Sequence, residues 1–177
     1  GGGVFNQGTL TVTNTIVANS TSGGNCSGAV TDGGHNIDDG TTCGFTGTGC
    51  TTTSGSSFCN TNPQLDPTGL KNNGGPTQTI ALQATSAAID AGDETVCSMT
   101  AGTAPVNSLD QRGFVRPGAG HTHCSIGAYE FYSPSPPCVG DCGGDSTVTV
   151  DEILTMVNIA LGNVQVSACE AGDANPD

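Results

Sequence analysis

Along residues 8–19 apolar and polar side chains alternate: Leu10 and Val12, then Ile16 and Ala18, with Thr and Asn between them. A period of two is that of a half-buried β-strand, whose successive side chains point to opposite faces. Asn14 interrupts the apolar face and marks a corner. A weaker echo follows at 28–31 and 34–37, with Val30 placed 18 residues after Val12, thin evidence for a repeat. Short strands are predicted again at 79–82 and 87–89, and the Asn-Asn-Gly-Gly-Pro run at 72–76 reads as a turn. One segment carries the helical period instead. Val150, Ile153, Leu154, Val157, Ala160 and Leu161 recur at i, i+3, i+4 and i+7, and Gly162 supplies a stop.

Composition sharpens this picture of short strands and many turns. Gly alone contributes 28 of 177 residues, and aromatics only 4% with no Trp, so the core cannot rest on large rings. Gly tolerates positive φ, while Asn and Ser bond to their own backbone, which suits tight turns. Disorder is the competing reading of such a composition, and the patterned apolar positions argue against it.

The net charge is −13, with Lys71, Arg112 and Arg116 as the only fixed cations. A nucleic-acid partner is excluded, because counterion release needs a basic surface. An anionic membrane surface is excluded in the same way, and acidic polysaccharides are repelled unless calcium bridges them. No run of apolar residues is long enough to insert in a membrane. Nine cysteines, at 26, 43, 50, 59, 97, 124, 138, 142 and 169, point to an oxidising compartment. Zinc is the alternative, but Cys138 and Cys142 have no second Cys or His pair at useful spacing. The chain starts at Gly1 without a signal peptide and ends inside a motif, which reads as a fragment, so the missing signal says nothing about export.

Several motifs in order carry a resemblance. Residues 2–19, Gly33-Gly34-His35-Asn36-Ile37-Asp38, Asn73-Gly74-Gly75-Pro76-Thr77, Ser86-Ala87-Ala88-Ile89-Asp90-Ala91-Gly92, Asp110-Gln111-Arg112-Gly113 and Ile126-Gly127-Ala128-Tyr129-Glu130-Phe131 form the set. Together they resemble the last coils of right-handed parallel β-helix proteins, the pectin-lyase-like solenoids of large bacterial surface and secreted polypeptides. The resemblance implies a mainly β fold: terminal β-helix coils and a cap over 1–132, a Pro/Ser linker at 133–137, and a small α-helical half module over 138–177. It implies no activity. In the implied cap, Ile126, Phe114, Tyr129 and Phe131 cover the open end of the stack, and Arg112 pairs with Asp110 or Glu130. Proximity along the chain and the resemblance together suggest Cys26 with Cys43, Cys50 with Cys59 and Cys97 with Cys124, leaving Cys142 and Cys169 as a further possible pair. The sequence itself leaves the connectivity open.

The stretch from Asp141 to Glu152 fits a twelve-residue calcium loop. Asp141 falls at position one, Asp145 at five, Thr147 at seven through its carbonyl, Thr149 at nine and Glu152 at twelve. A hard cation takes about six to eight oxygens, and this spacing wraps them around one point. The helix-patterned residues follow directly, and Asp173, Asn175 and Asp177 begin a second loop at positions one, three and five. Loop, helix, then a second loop resembles a truncated dockerin module. The resemblance implies calcium as cofactor and a cohesin-like protein as partner, beside a cell-surface or polysaccharide ligand. Three departures stand out. Gly143 replaces an oxygen donor, Ser146 sits where Gly makes the sharp turn, and Val150 and Asp151 occupy the positions that read cohesin.

Other constellations carry less. His35 with Asp38 and Asp39 has the carboxylates of a glycoside hydrolase, but lacks the Arg-x-Lys pair of pectin-degrading enzymes. His121 and His123 could share a metal with Cys124, which is expected instead in a disulfide. Asn19-Ser20-Thr21 matches a glycosylation acceptor, and Asn25-Cys26-Ser27 its rarer relative. No catalytic residue is assigned. The leading expectation is a non-catalytic extracellular or cell-surface scaffold of adhesion type with a calcium-binding docking module. The alternative is the C-terminal piece of a polysaccharide-degrading hydrolase or lyase with its catalytic coils upstream.

Overall fold

The structure, a computed structural model, describes residues 3–97, 108–131, 140, 142, 148–165 and 169. The chain divides into two compact units, Gly1–Pro134 and Ser135–Asp177. The linker expected at 133–137 lies outside the described residues.

In the first unit the strands are β1 (Val4–Phe5), β2 (Thr11–Val12), β3 (Ile16–Val17), β4 (Cys26–Ser27), β5 (Thr31–Asp32), β6 (Ile37–Asp38), β7 (Thr46–Thr48) and β8 (Thr52–Phe58). All pair in parallel, in three small sheets ordered β1-β4, β2-β5 and β3-β6-β8-β7. Side chains reinforce the register. Thr15 N donates to Asn36 Oδ1 at 2.9 Å, and Asn36 N donates to Ser57 Oγ at 3.0 Å, each across 21 residues. Val12 lies in register with Asp32, not with Val30, so the apparent repeat seen in the sequence is out of step with the true pairing.

The fold expected from the resemblance needs correction. The first unit is mainly β and poor in helix, but it does not form the regular coils of a right-handed parallel β-helix solenoid. Its first six strands are two residues long, and beyond Phe58 the described residues of this unit add only isolated antiparallel bridges and one helical turn, α1 (Glu94–Cys97). The physical cause lies in the breakers. Asn14 and His35 take φ of 50° and 54°, and Asn19 and Asn60 also lie in the left-handed region. Each turns the chain before a strand can lengthen.

Asn14 also shifts the phase of the apolar pattern. Val12 and Val17 pack in one core cluster with Cys26, Cys43, Phe45, Cys50 and Cys59. Ile16 joins a second cluster with Ile37, Leu82, Ala88 and Ile126. The interruption expected at Asn14 thus divides the apolar residues between two clusters. The predicted strands at 79–82 and 87–89 are also absent. Leu82 and Thr79 make single antiparallel bridges to Leu65 and Lys71, and 87–90 is a turn. The turn at 72–76 is present, between the bridged Lys71 and Thr79, with Gly74 and Gly75 at positive φ.

Disulfides substitute for the missing aromatic core. The structure pairs Cys26–Cys43, Cys50–Cys59 and Cys97–Cys124, as proximity and the resemblance together suggest, and also Cys142–Cys169. Sequence separations of 9 to 27 residues restrict the unfolded chain, each worth about 2–4 kcal/mol in the loop-entropy account.

Close stacking leaves one glycine no alternative. A Cβ on Gly28 would stand 1.8 Å from the Asn6 carbonyl oxygen, and its φ is +89°. Gly28→Ala is therefore expected to cost about 2 kcal/mol or more in urea unfolding, since both backbone strain and a clash act. A loss below about 0.5 kcal/mol would show that β1 and β4 can separate freely.

Candidate functional site

The charged residues 110, 112, 116 and 130 come together inside the first unit, all buried. Asp110 anchors the group by accepting bonds from the Arg112, Phe114 and Glu130 amides at 2.7, 3.1 and 2.9 Å. Its Oδ2 also receives Arg112 Nε at 2.8 Å and Nη2 at 2.6 Å. Arg112 donates further to the Glu130 carbonyl at 2.7 Å. Its guanidinium lies between Phe114 and Tyr129, 4.0 and 3.7 Å from the ring centroids, a cation–π sandwich. The expected Arg112 pairing thus resolves onto the Asp110 carboxylate and the Glu130 backbone.

The Glu130 side chain faces elsewhere. It accepts from Ser125 N, Ser125 Oγ and Gly118 N at 2.8, 2.9 and 3.1 Å. Burial pushes its carboxyl up, against the pull of these donors and of Arg116. Arg116 is pushed down by burial and held up by Glu130 and Asp110. Its Nη atoms donate to the Ser125 and Gly127 carbonyls at 3.0 and 2.6 Å. Its Nε stands 3.8 Å from Glu130 Oε2, too far for a hydrogen bond, and has no hydrogen-bond partner among the described residues. Sequence reading missed Arg116, which sits on no periodic face. Chemically the cluster locks backbone segments together and presents no acid–base pair to solvent.

The paired aspartates are spent in the same way. Asp38 is fully buried and receives Asn25 Nδ2, Gly40 N and Cys43 N. Asp39 accepts from Asn19 N and Asn25 Nδ2. His35 Nδ1 bonds the Ala91 carbonyl at 2.8 Å. Asn25 is buried among these partners, so it cannot accept a glycan, whereas Asn19 is exposed. Cys124 is in its disulfide, His121 stacks edge-on against Phe131, and His123 leans on Asp90 at 3.7 Å. Hydrogen bonds from the His123 and Thr122 amides, with burial opposing, hold the Asp90 carboxyl below the usual range. Among the described residues no cluster of three or more His, Cys, Asp or Glu could hold a metal.

In the second unit, α2 (Val150–Ala160) follows the predicted period, and Gly162 follows its end at φ +74°. Thr149 caps it. Glu152 N donates to Thr149 Oγ1, and Glu152 Oε2 receives Thr149 N at 2.7 Å and Thr149 Oγ1 at 2.8 Å. This capping box was legible as Thr-x-x-Glu before an apolar run, a second role for two proposed calcium ligands. Asp141, Asp145 and Thr147, with Asp173, Asn175 and Asp177, lie outside the described residues. Thr149 and Glu152 bring the oxygen donors a hard cation prefers, but coordination through Glu152 would compete with the cap. The apolar face of α2 is exposed: Val150 at 72%, Leu161 at 68%, and Ile153, Leu154 and Val157 near half.

Comparison with protein-family models, with curated proteins and with solved structures finds no match. The four disulfides are compatible with a secreted or extracellular protein, and no described helix is long and apolar enough to cross a membrane.

Proposed function

We propose that the chain is a non-catalytic, disulfide-stapled scaffold outside the cell, carrying a calcium-binding docking module of dockerin type in its second unit. The observation that supports it most is the fate of the candidate catalytic groups. Asp38 is buried and fully bonded, with no access to a glycosidic oxygen, and the half-buried Asp39 and His35 are bonded to backbone and amide groups of the fold, which leaves no pair of free carboxylates there. The docking reading rests on the loop spacing, on Thr149 and Glu152 meeting at the start of α2, and on the open apolar face of that helix, suited to a cohesin-like partner.

Calorimetric calcium titration of the full chain tests the docking reading, with magnesium and Glu152→Gln as controls. Gln keeps an amide oxygen for the capping box but loses the carboxylate charge. Calcium-selective binding weakened by about tenfold or more in the variant is expected, in line with the weight of the last loop position. Equal magnesium binding, or none of either, would remove calcium from the reading. Turnover of pectin or a related glycan by this chain would sink the scaffold claim.

A further inference from the structure

Among the described residues β3 is an edge strand, because the sheet runs β3-β6-β8-β7. Thr15 bonds inward: its amide donates to Asn36 Oδ1 and its carbonyl accepts from Ile37 N, both at 2.9 Å. Alternation along a parallel strand then turns the amides and carbonyls of Ile16 and Ala18 outward. The Asn14 carbonyl points the same way and accepts from Gly127 N at 3.0 Å. Past that bond a groove of about 670 Å³ follows the strand, lined on this side by Thr15, Ile16, Ala18 and Asn19. Val17, turned to the inner core, is absent from the lining. Leu65, Leu70, Ile80 and Tyr129 contribute apolar walls.

Charge narrows the occupant. No residue of the groove is charged, in a chain carrying −13. A charged side chain entering it would lose hydration without a counter-charge. Basic residues just outside it would be drawn by the protein's field. Outward backbone groups at every second residue match a polypeptide, which offers donors and acceptors at that same spacing.

We propose that the outer edge of β3 and its groove take up an extended strand from a partner protein. The strand adds in parallel, with β-branched aliphatic residues facing the groove and Lys or Arg at its flanks. It continues the apolar ladder of Ile16, Ile37 and Phe58, which are already in register. This surface lies wholly in the first unit and does not depend on calcium.

The test is fluorescence anisotropy of the full, oxidised chain with a labelled peptide alternating Val and Thr between pairs of Lys. Saturable one-to-one binding is expected. It should weaken by about tenfold or more when alternate peptide amides are N-methylated, because strand addition relies on main-chain bonds. Leu70→Asp should weaken it similarly, and since Leu70 is 61% exposed the fold survives. Ala18→Pro, which removes an outward amide and is tolerated on edge strands, should act in the same direction, with circular dichroism confirming the fold. Absence of saturable binding overturns the proposal. So does binding indifferent to N-methylation, which reports charge alone. Displacement of the peptide by a neutral oligosaccharide, or dimerisation of the chain in place of peptide binding, also overturns it, by assigning the groove to another occupant.

Discussion

Asp110→Ala is expected to lower the unfolding free energy of the oxidised chain by about 3–5 kcal/mol, the usual consequence of stripping one partner from a buried ion pair. The substitution removes an acceptor of three amides and leaves the Arg112 guanidinium between Phe114 and Tyr129 with no carboxylate. Urea unfolding with the disulfides intact provides the measurement, because those covalent ties keep the rest of the first unit together. The double variant Asp110→Leu with Arg112→Met separates two explanations. If the loss comes from an unpaired buried charge, the double variant recovers much of it, since apolar replacement of a whole pair is often neutral. If the amides of residues 112, 114 and 130 carry the loss, the double variant stays as weak as the single one. A single-variant loss below about 1 kcal/mol would mean that the cluster opens to water and behaves as a surface pair.

Asp32→Asn should be the second large perturbation, costing about 2 kcal/mol or more at neutral pH, because a hydrogen bond to a charged acceptor contributes a net of about 1.5–3 kcal/mol. Asp32 Oδ1 accepts from Gly34 N, Asn36 Nδ2 and Ser57 Oγ, and Oδ2 accepts from Thr46 N and Thr46 Oγ1. An Asn amide cannot satisfy both sets. Burial pushes the Asp32 carboxyl up, but these bonds, led by the Thr46 amide, outweigh it and hold the carboxyl below its ordinary range. A depressed carboxyl stabilises the fold fully above its unfolded pKa, and that contribution drains away as pH falls through the lower folded value. The acid limb of the wild-type stability curve should therefore flatten below about pH 4 in Asp32→Asn. Parallel curves for the two proteins would refute the role of this carboxylate. Asp66, held at about 2 chiefly by Lys71, titrates in the same direction and remains in both proteins. Glu130 runs the opposite way. Its raised pKa favours the fold at low pH, and that contribution is lost as pH rises through the folded value.

Asp32 shows why part of this molecule was unreadable beforehand. In sequence it is one acid in a Thr-Asp-Gly-Gly turn, with nothing to set it apart from Asp38 or Asp66. Its five donors come from residues 34, 36, 46 and 57, and only the stacking of β5 and β6 beside β7 and β8 brings them to one carboxylate. Strand β8 was invisible for a related reason. Its Thr-Thr-Ser-Gly-Ser-Ser-Phe run has no apolar alternation, so only pairing with β6 and β7 defines it. The stretch around Ile89 failed in the other direction. Apolar residues there suggested a strand, but Ala88 is buried from a turn, because a loop layer can bury side chains without a ladder.

What the sequence determined by itself is local or covalent. The period of Val150–Ala160 and the following Gly162 specify a helix with its stop, because a 3.6-residue repeat belongs to one segment alone. Cysteine usage pointed to disulfides, and their pairing stayed open in the sequence alone; the four bonds join residues no more than 27 apart. The scarcity of cations, three in a chain of net charge −13, argues against a nucleic-acid partner whatever the fold. Only the tertiary structure decided where the apolar faces go. The left-handed turn at Asn14 puts Val17, rather than Ile16, in the cluster that holds Val12, a shift of phase that the alternation in the sequence does not record. It likewise brought Arg116 beside Glu130 and set β3 at the edge of its sheet among the described residues, since both depend on contacts between segments far apart in the chain.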